Sequence, residues 1–197
     1  MITSSSLSMS DRLSLIEQML EGLAFIHSRG CMHRDIRPEN VLVSSSPLQA
    51  VIIDFGCATF DKTSKDHMKG TIRYLAPEVI ALKHGTASND STYNMSVDIW
   101  SLGLTAHELL SGSRTPRFSE ITRKIYDTDL LPALRVNLRP NGDVHPTWAV
   151  SLLEETLRWD ASARIKSTDA HYRWLQQIQY TLPATLDPRK RLRMSEP

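Results

Sequence analysis

Apolar residues recur at three-to-four spacing through residues 11–29, and this is the first strong pattern along the chain. They are Leu13, Ile16, Leu20, Leu23 and Ile26. The spacing places apolar side chains on one face of an α-helix and so predicts an amphipathic helix packed against a core. Ser10 or Asp11 is suited to cap the start of that helix, and Gly30 is suited to end it.

A short hairpin is predicted after this helix. The β-branched runs Val41–Val43 and Val51–Ile53 are separated by the turn-forming residues Ser44–Pro47. The second predicted strand brings Asp54 to its end.

Residues 54–96 show little periodicity and contain many Gly, Ser, Thr, Asp and Lys residues, which predicts mainly long loops. Within them, the polar residues 83–92 are predicted to form a surface insertion. From Val97 the chain is apolar nearly all round, as in a helix buried inside a domain. Further helices are predicted around residues 118–126, 147–158 and 167–179. The predicted fold class is mainly α with a small β-hairpin, an α+β lobe.

Composition points to a single soluble domain. The chain has 197 residues, of which 41% are hydrophobic and 23% charged. A net charge of +1 gives no field strong enough to favour nucleic acid or an anionic membrane as a partner. Cys31 and Cys57 are the two cysteines and lack a zinc-site spacing, so neither a disulfide framework nor structural zinc is expected. We expect a reducing intracellular compartment, cytoplasmic or nuclear.

The sequence shows no signal for membrane insertion or secretion. No stretch approaches the roughly 18 apolar residues of a membrane-spanning helix. We predict a frayed N-terminus over residues 1–10, a folded domain over 11–178 and a basic tail over 179–197. The basic cluster Asp187–Arg193 is better explained as a solvated tail than as a nuclear-import signal.

The segment from His33 to Asn40 is the most informative in the chain. It has the sequence His-Arg-Asp-Ile-Arg-Pro-Glu-Asn and lies between the predicted helix and hairpin, where it would form a loop. Phosphoryl transfer needs a carboxylate to orient the attacking hydroxyl and an amide oxygen to help hold magnesium, and Asp35 and Asn40 offer these groups. The segment resembles the catalytic loop of eukaryotic-type protein kinases, although a lone His-Arg-Asp often arises by chance.

Four further segments follow in the order that the protein kinase family shows. They are Asp54-Phe55-Gly56, which resembles the DFG motif; Gly70–Glu78, which resembles the end of the activation segment; Asp98–Gly103, which resembles the start of the central helix; and Leu157–Ile165, which resembles the late Asp-Pro-x-x-Arg segment. Five motifs in one order exceed what chance supplies. Over residues 10–175 the chain is therefore identified as a member of this family, resembling its C-terminal lobe.

The resemblance implies a role for each matched residue. The expected catalytic residues are Asp35, Arg37 and Asn40. The expected ATP contacts are Arg37, Asn40, Leu42 and Asp54, with Asn40 and Asp54 also holding Mg²⁺. The expected structural residues are His33, Arg34, Phe55, Gly56, Glu78, Asp98 and Arg164.

Several of these roles imply particular contacts. In the family, Asp98 would accept hydrogen bonds from the backbone of the catalytic loop, because a buried carboxylate needs donors. His33 would pack beneath Phe55. The resemblance also implies a buried ion pair between Glu78 and Arg164.

The resemblance favours a protein substrate and a Ser/Thr acceptor. The Gly70–Glu78 segment shapes the peptide-docking surface in protein kinases and is missing from related small-molecule kinases. Thr71 would position the substrate by contacting Asp35, as in Ser/Thr kinases, and Pro38-Glu39 also matches their form of the loop. Arg37 departs from the usual Lys, and its planar guanidinium does not simply replace an ammonium group.

Control by phosphorylation is a further expectation. In the family, a phosphate on the activation segment pairs with the residue matching Arg34, and Thr63 and Ser64 are the available acceptors. His67 and Met68 occupy the stretch where many relatives place that residue, which counts against this control.

The residues before Asp11 contain no Gly-rich turn, no VAIK-like Lys and no helix with its Glu partner. Since these parts normally cover ATP, we expect little or no kinase activity from these residues alone. Two hypotheses follow: a Ser/Thr kinase transferring the γ-phosphate of ATP, or a truncated, inactive kinase-like binding module. An apolar face around Leu42, Phe55 and His33 is expected to be exposed and open to a partner.

Overall fold

The structure is a computed structural model that describes residues 7–114, 122–137 and 146–181. Its helices are α1 (Met9–Ser28), α2 (Pro77–Lys83), α3 (Ser96–Ser111), α4 (Arg123–Ile125), α5 (Leu131–Asn137), α6 (Thr147–Thr156) and α7 (Ser167–Thr181). The strands β1 (Val41–Ser45) and β2 (Leu48–Ile52) form an antiparallel pair. The predicted fold class, mainly α with a small β-hairpin, is confirmed.

Helix α1 begins with a reciprocal cap. The Ser8 hydroxyl accepts a hydrogen bond from the Asp11 N–H, and the Asp11 carboxylate accepts one from the Ser8 N–H. The predicted cap, Ser10 or Asp11, is thus corrected: Ser8 is the cap and Asp11 its partner one turn later. Gly30 follows the helix with φ of 74°, the left-handed conformation that glycine adopts readily, so the predicted stop is confirmed.

The apolar face of α1 forms one side of the main core. All five residues of the predicted stripe are buried, and they pack with residues from α3, α6 and α7. The Trp174 indole N–H donates to the Leu13 carbonyl oxygen at 3.1 Å, which ties α7 to α1. Burial of this stripe against three neighbouring helices explains why its periodicity is clear in the sequence.

The hairpin lies across α1 with one face inward. Val41 pairs with Ile52, and both pack against the main core. Leu42 pairs with Val51 on the opposite face, where these side chains are 61% and 47% exposed. Strand β2 ends two residues before Asp54, one residue earlier than predicted.

Helix α3 is buried on nearly all sides, as its apolar pattern predicted. One part of its surface joins the main core, and another joins a second apolar cluster with residues from 74–80 and 126–134. The α3 residues in the main core are Ile99, Leu102, Ala106 and Leu110, and those in the second cluster are Val97, Trp100 and Leu104. Gly103 allows close approach, because a Cβ at this position would clash with Thr156 of α6. The helix therefore joins the two halves of the core.

Residues 54–96 are more regular than predicted. They contain α2, which starts at Pro77, and two isolated β-bridges, Met32 with Thr59 and Ser64 with Tyr93. A helix of seven residues is too short to show helical periodicity in a sequence, and bridges between distant residues leave no local pattern. The predicted surface insertion, residues 83–92, is a mainly exposed polar segment.

The middle helices also differ from the prediction around 118–126. Residues 115–121 lie outside the described residues, and α4 continues through a π-helical turn, Tyr126–Leu130, into α5. The sequence did not predict α5, which carries Pro132 directly after the π-helical turn, where the missing proline N–H interrupts the regular helical hydrogen bonding. Helices α6 and α7 match the predictions around 147–158 and 167–179.

The predicted end segments are described only in part. Residues 1–6 and 182–197, which include the basic cluster, lie outside the described residues. Residues 9 and 10 belong to α1, and residues 179–181 belong to α7. Across the described parts of the chain, no helix combines the length and the apolar character needed to cross a membrane.

Candidate functional site

Asp98, in the first turn of α3, holds the backbone of the loop that begins at His33. Its carboxylate is fully buried; Oδ1 accepts from the Arg34 N–H at 2.7 Å and Oδ2 from the His33 N–H at 2.8 Å. These bonds fix Arg34 at φ of 67°, a left-handed conformation that a long side chain rarely adopts. The contact between Asp98 and the loop backbone that was expected from the sequence is therefore present.

The Asp35 carboxylate lies at the centre of a small polar cluster. Oδ1 accepts from the Thr71 hydroxyl at 2.9 Å, which confirms the predicted contact between these residues. Oδ2 accepts from the Asn40 side-chain amide at 3.0 Å, and the same amide nitrogen donates to the Asp35 carbonyl oxygen at 2.9 Å. Because Asn40 is buried and uses its nitrogen on Asp35, its amide oxygen is the atom left to face a cation.

Arg37 reaches the same cluster from the other side. Its Nη1 donates to the Thr71 hydroxyl oxygen at 2.9 Å. Its Nε lies 3.9 Å from Asp35 Oδ2 and 3.7 Å from Glu39 Oε2, beyond hydrogen-bond length. Among the described residues this buried Nε has no hydrogen-bond partner. The Arg37 side chain, which is 31% exposed, therefore places a positive charge beside the Asp35 carboxylate.

Asp54 is brought to the loop by backbone pairing. The Ile53 N–H donates to the Asn40 carbonyl oxygen at 2.9 Å, so the next residue lies close to Asn40. Asp54 has φ of 65° and is exposed, and its Oδ1 accepts from the Gly56 N–H at 3.2 Å. Carboxylate and amide oxygens suit Mg²⁺, which proteins usually bind through one or two carboxylates together with substrate phosphates. The carboxylate oxygens of Asp54 and the side-chain amide oxygen of Asn40 are therefore suitable ligands for such an ion.

The ring of His33 packs against that of Phe55, as predicted. Their centroids are 4.9 Å apart in an edge-on arrangement, and His33 Nε2 lies 3.0 Å from the Ile53 carbonyl oxygen. His33 is fully buried, however, so the prediction that it contributes to an exposed apolar face was wrong. The Phe55 ring thus lies over the buried imidazole of His33.

We define the hairpin face as the exposed apolar residues on the outer side of β1, β2 and the segment after them. They are Leu42, Val51, Ile53 and Phe55, which are 61%, 47%, 37% and 49% exposed. Leu42 was expected to contact ATP, and it lies on this open face. Four neighbouring apolar side chains form an accessible surface next to the polar cluster.

Arg34 joins the catalytic loop to the segment after Phe55. Its Nε donates to the Cys57 carbonyl oxygen at 2.5 Å, and its Nη1 lies 3.3 Å from the Tyr93 hydroxyl and 3.5 Å from the Ser64 hydroxyl. The same Nη1 is 3.6 Å from Asp66 Oδ2. The guanidinium is thus paired with a carboxylate of the segment that follows Phe55.

Glu78 and Arg164 form the ion pair predicted from the sequence. Two parallel hydrogen bonds of 2.6 and 2.7 Å join the guanidinium to the carboxylate. The Arg164 side chain is fully buried, whereas that of Glu78 is 21% exposed, so the pair is buried from the arginine side. The guanidinium also lies over the Trp100 ring, 5.1 Å from its centroid. This pair fastens the start of α2 to the segment before α7.

Both Cys31 and Cys57 carry free thiols. Burial, with a smaller contribution from the negative charge of Asp98, raises the pKa of the Cys31 thiol. Cys31 is thus a buried, uncharged side chain behind the loop.

A family model described as "Protein kinase domain" matches residues 1–175. The chain belongs to the protein kinase family. This assignment agrees with the order of the five motifs and with the way the structure gathers them around Asp98. The family match shows the kinase ancestry of the chain, and the structure shows the fold that accompanies it.

Curated relatives are also protein kinases. Calcium-dependent protein kinase 4 of Plasmodium falciparum is 30% identical over 184 residues, covering 85% of this chain and 31% of the relative. The liver/testis gamma catalytic chain of human phosphorylase b kinase is 28% identical over 193 residues, covering 96% of this chain and 46% of the relative. Serine/threonine-protein kinase cds1 of Schizosaccharomyces pombe is 39% identical over 116 residues, covering 57% and 25%. The chain spans less than half the length of each of these relatives.

Sequence reasoning missed four residues that the structure brings to the kinase site. Asp66 and Tyr93 lie against Arg34, His27 lies against Asp98, and Ser167 lies against His27. None belongs to a recognisable motif here, and His27 and Ser167 are 140 residues apart in the chain. The one available signal was that Asp66 follows the candidate phosphate acceptors closely.

Proposed function

We propose that residues 11–178 form the catalytic lobe of a serine/threonine protein kinase. Its reaction would transfer the γ-phosphoryl group of ATP, with Mg²⁺, to hydroxyl groups of a protein substrate. The observation that best supports this is the Asp35 carboxylate, held between Thr71 and Asn40 beside the unpaired Nε of Arg37. The reaction requires this combination of a hydroxyl-orienting carboxylate, a cation ligand and a positive charge.

Each side chain would have one task in the transfer. Bound Mg·ATP supplies the phosphoryl group and a metal that neutralises its charge. Asp35 would orient the substrate hydroxyl by accepting its hydrogen bond, while Asn40 and Asp54 would hold the cation through their oxygens. The Arg37 guanidinium would place its positive charge near the transferred group and so stabilise the charge that develops there. Catalysis is then positioning plus electrostatics.

A Ser/Thr acceptor in a protein is supported by two observations. Thr71 bonds Asp35, the arrangement expected for Ser/Thr kinases, and one relative is named a serine/threonine-protein kinase. The free cysteines support a cytoplasmic or nuclear location. The 197 residues contain no Gly-rich phosphate loop and no VAIK-like Lys, so the expected rate of the chain alone is low.

The test compares the 197-residue chain with Asp35→Asn, a variant of similar shape that lacks the carboxylate. Peptides differing only in Ser, Thr or Tyr at the acceptor are incubated with millimolar Mg·ATP, and incorporated phosphate is counted. We expect slow, Mg²⁺-dependent labelling of the Ser and Thr peptides above the Asp35→Asn background. A folded wild-type chain that labels no more than Asp35→Asn would favour a second candidate, an inactive binding module.

Nucleotide binding is tested separately by amide NMR signals, which detect weak complexes. Millimolar Mg·ATP should shift the signals of Asn40 and Asp54, and the shifts should disappear in Asp54→Ala. The melting temperature should not rise measurably, because weak binding stabilises little by mass action. A stabilisation of several degrees that Asp54→Ala abolishes would contradict the expected weak binding.

The second candidate is an inactive kinase-like binding module. It is favoured by the hairpin face, whose four apolar side chains could contact a protein partner. The same labelling assay separates the candidates, since a binding module predicts no difference between the wild-type chain and Asp35→Asn.

A further inference from the structure

A buried chain of three polar side chains lies behind the catalytic loop. Ser167 Oγ is 3.0 Å from His27 Nδ1, and His27 Nε2 is 3.0 Å from Asp98 Oδ2. The His27 side chain is 8% exposed, that of Asp98 is fully buried, and Ser167 is 4% exposed. The three residues come from α7, α1 and α3, so the contact joins three helices at one point.

The partners of His27 determine which nitrogen carries the proton. An ionised carboxylate only accepts hydrogen bonds, so the nitrogen facing Asp98, Nε2, must carry a proton. In the neutral ring Nδ1 is then an acceptor, and the Ser167 hydroxyl is the donor beside it. Because the site is almost closed to water, the hydroxyl is what satisfies Nδ1 there.

The same carboxylate oxygen reaches the catalytic loop. Asp98 Oδ2 accepts from both His27 Nε2 and the His33 N–H, while Oδ1 accepts from the Arg34 N–H. These bonds keep Arg34 in its left-handed conformation, and Asp35 is the next residue. Any rotation of the Asp98 carboxylate would therefore displace the backbone that carries Asp35.

We propose that Ser167 is a positioning residue for the catalytic loop, acting through His27 and Asp98. This inference rests on the proposed kinase function only where activity is measured. With the hydroxyl removed, Asp98 alone favours the proton on Nε2, and the ring loses the second of the two contacts that fix its orientation. Any ring that then carries its proton on Nδ1 would turn a lone pair toward the carboxylate. The carboxylate would then lose a donor and its fixed orientation.

The first arm of the test needs no activity. In the 197-residue chain, ¹⁵N NMR of the imidazoles reports which nitrogen of His27 is protonated. We expect Ser167→Ala to reduce the Nε2-protonated form and to shift the His33 and Arg34 amide signals. Ser167→Thr, which keeps the hydroxyl, should restore both. Thr168→Ala removes an exposed hydroxyl from the same helix turn and should change neither.

The second arm measures turnover with the Ser peptide. Ser167→Ala should lower kcat about tenfold, as loss of an outer hydrogen-bond partner commonly does, with KM for ATP and peptide unchanged. A purely structural role would instead lower the active fraction without altering the His27 tautomer. If the NMR signals of His27, His33 and Arg34 are the same in Ser167→Ala and wild type, the inference is wrong. If the signals move but no variant transfers phosphate, Ser167 positions the loop and the kinase proposal fails alone.

Discussion

At the scale of single residues, the buried charge of Arg164 must be neutralised and hydrogen-bonded by the residues around it. Its fully buried guanidinium is neutralised by Glu78, and three backbone carbonyls, those of Ser96, Arg158 and Trp159, accept its other hydrogen bonds. A buried ion pair is weak evidence of net stability, yet removal of one partner leaves a buried charge uncompensated. The effect of the pair on stability is therefore best measured by removing its carboxylate.

Glu78→Ala should lower the free energy of unfolding by about 3–5 kcal/mol, measured by urea titration. The control is Glu155→Ala, which removes the partner of Arg173 from a pair whose side chains are 29% and 48% exposed. That change should cost no more than about 1 kcal/mol, since solvent screens exposed pairs. Equal losses for the two variants would show that burial of Arg164 carries no special cost.

The Glu155 and Arg173 pair also gives a pH dependence. The hydrogen bond from Arg173 is the main cause that holds the pKa of Glu155 below its ordinary value of 4.5. A depressed folded-state pKa adds stability above the unfolded value, and this contribution is lost as the pH falls through the folded value. The stability difference between wild type and Glu155→Gln should therefore be full at neutral pH and shrink below pH 4.5. A difference that grows with acid would contradict this sign.

Gly70 is required for two reasons at one position. It has φ of 85°, and a Cβ there would lie 2.5 Å from the Arg34 carbonyl oxygen. Gly85 has φ of 66° but open space around its Cβ position, so it is a matched control. Gly85→Ala should cost only the left-handed penalty of about 1–2 kcal/mol, whereas Gly70→Ala should cost more and shift the Arg34 amide signal. If Gly70→Ala and Gly85→Ala lower the free energy of unfolding equally and the Arg34 amide signal does not move, the clash of a Cβ with the Arg34 carbonyl oxygen is excluded.

At the scale of elements, the segment between Phe55 and α2 is anchored by distant contacts. Ser64 forms a β-bridge with Tyr93, the Tyr93 hydroxyl donates to the Asp66 carbonyl oxygen at 2.6 Å, and Arg34 pairs with the Asp66 carboxylate. Lys65 Nζ also donates to the Asn89 carbonyl oxygen at 2.7 Å. These contacts join the segment to Arg34, Tyr93 and Asn89.

We therefore expect Asp66→Asn and Tyr93→Phe to raise hydrogen exchange over residues 61–68, because each removes a contact to Arg34. Thr63→Ala should leave the exchange unchanged in protein purified without any kinase treatment, since its side chain is exposed. Lys62→Met is the control for loss of a charge at the surface, because Lys62 is exposed. If Thr63→Ala loosens the segment and Asp66→Asn does not, the contact of Asp66 with Arg34 does not order it.

The elements also show what the sequence could predict. Long periodic helices and the hairpin were predictable because burial of one face repeats along the chain, and contacts such as Glu78 with Arg164 followed from motif order. Helix α2 and the bridge from Ser64 to Tyr93 were not, because the helix is short and the bridge depends on the path of the whole chain. For the same reason Ser167 could not be assigned beside His27. Local sequence patterns predict helices and strands. The second partner of each buried polar group comes from a distant part of the chain, so only the folded structure shows it.

At the scale of the whole molecule, α3 links the chemistry to the core. Its side chains enter both apolar clusters, and its first turn carries Asp98, which fixes the catalytic loop. The polar cluster around Asp35 thus rests on the most buried helix of the described chain. The hairpin face beside it has no such support, because Leu42, Val51, Ile53 and Phe55 are open to solvent.

Exposure of the hairpin face predicts self-association that substitutions there should reduce without loss of stability. Leu42→Thr with Val51→Thr keeps strand propensity while removing apolar surface from a directly opposed pair. We expect less binding of an apolar fluorescent dye and less light scattering at high concentration, with an unchanged urea midpoint. Phe25→Gln is the control, since Phe25 is 60% exposed but lies on α1 with Arg29 over its ring. If Phe25→Gln lowers dye binding as much as Leu42→Thr with Val51→Thr does, the hairpin face is not the surface through which the chain self-associates.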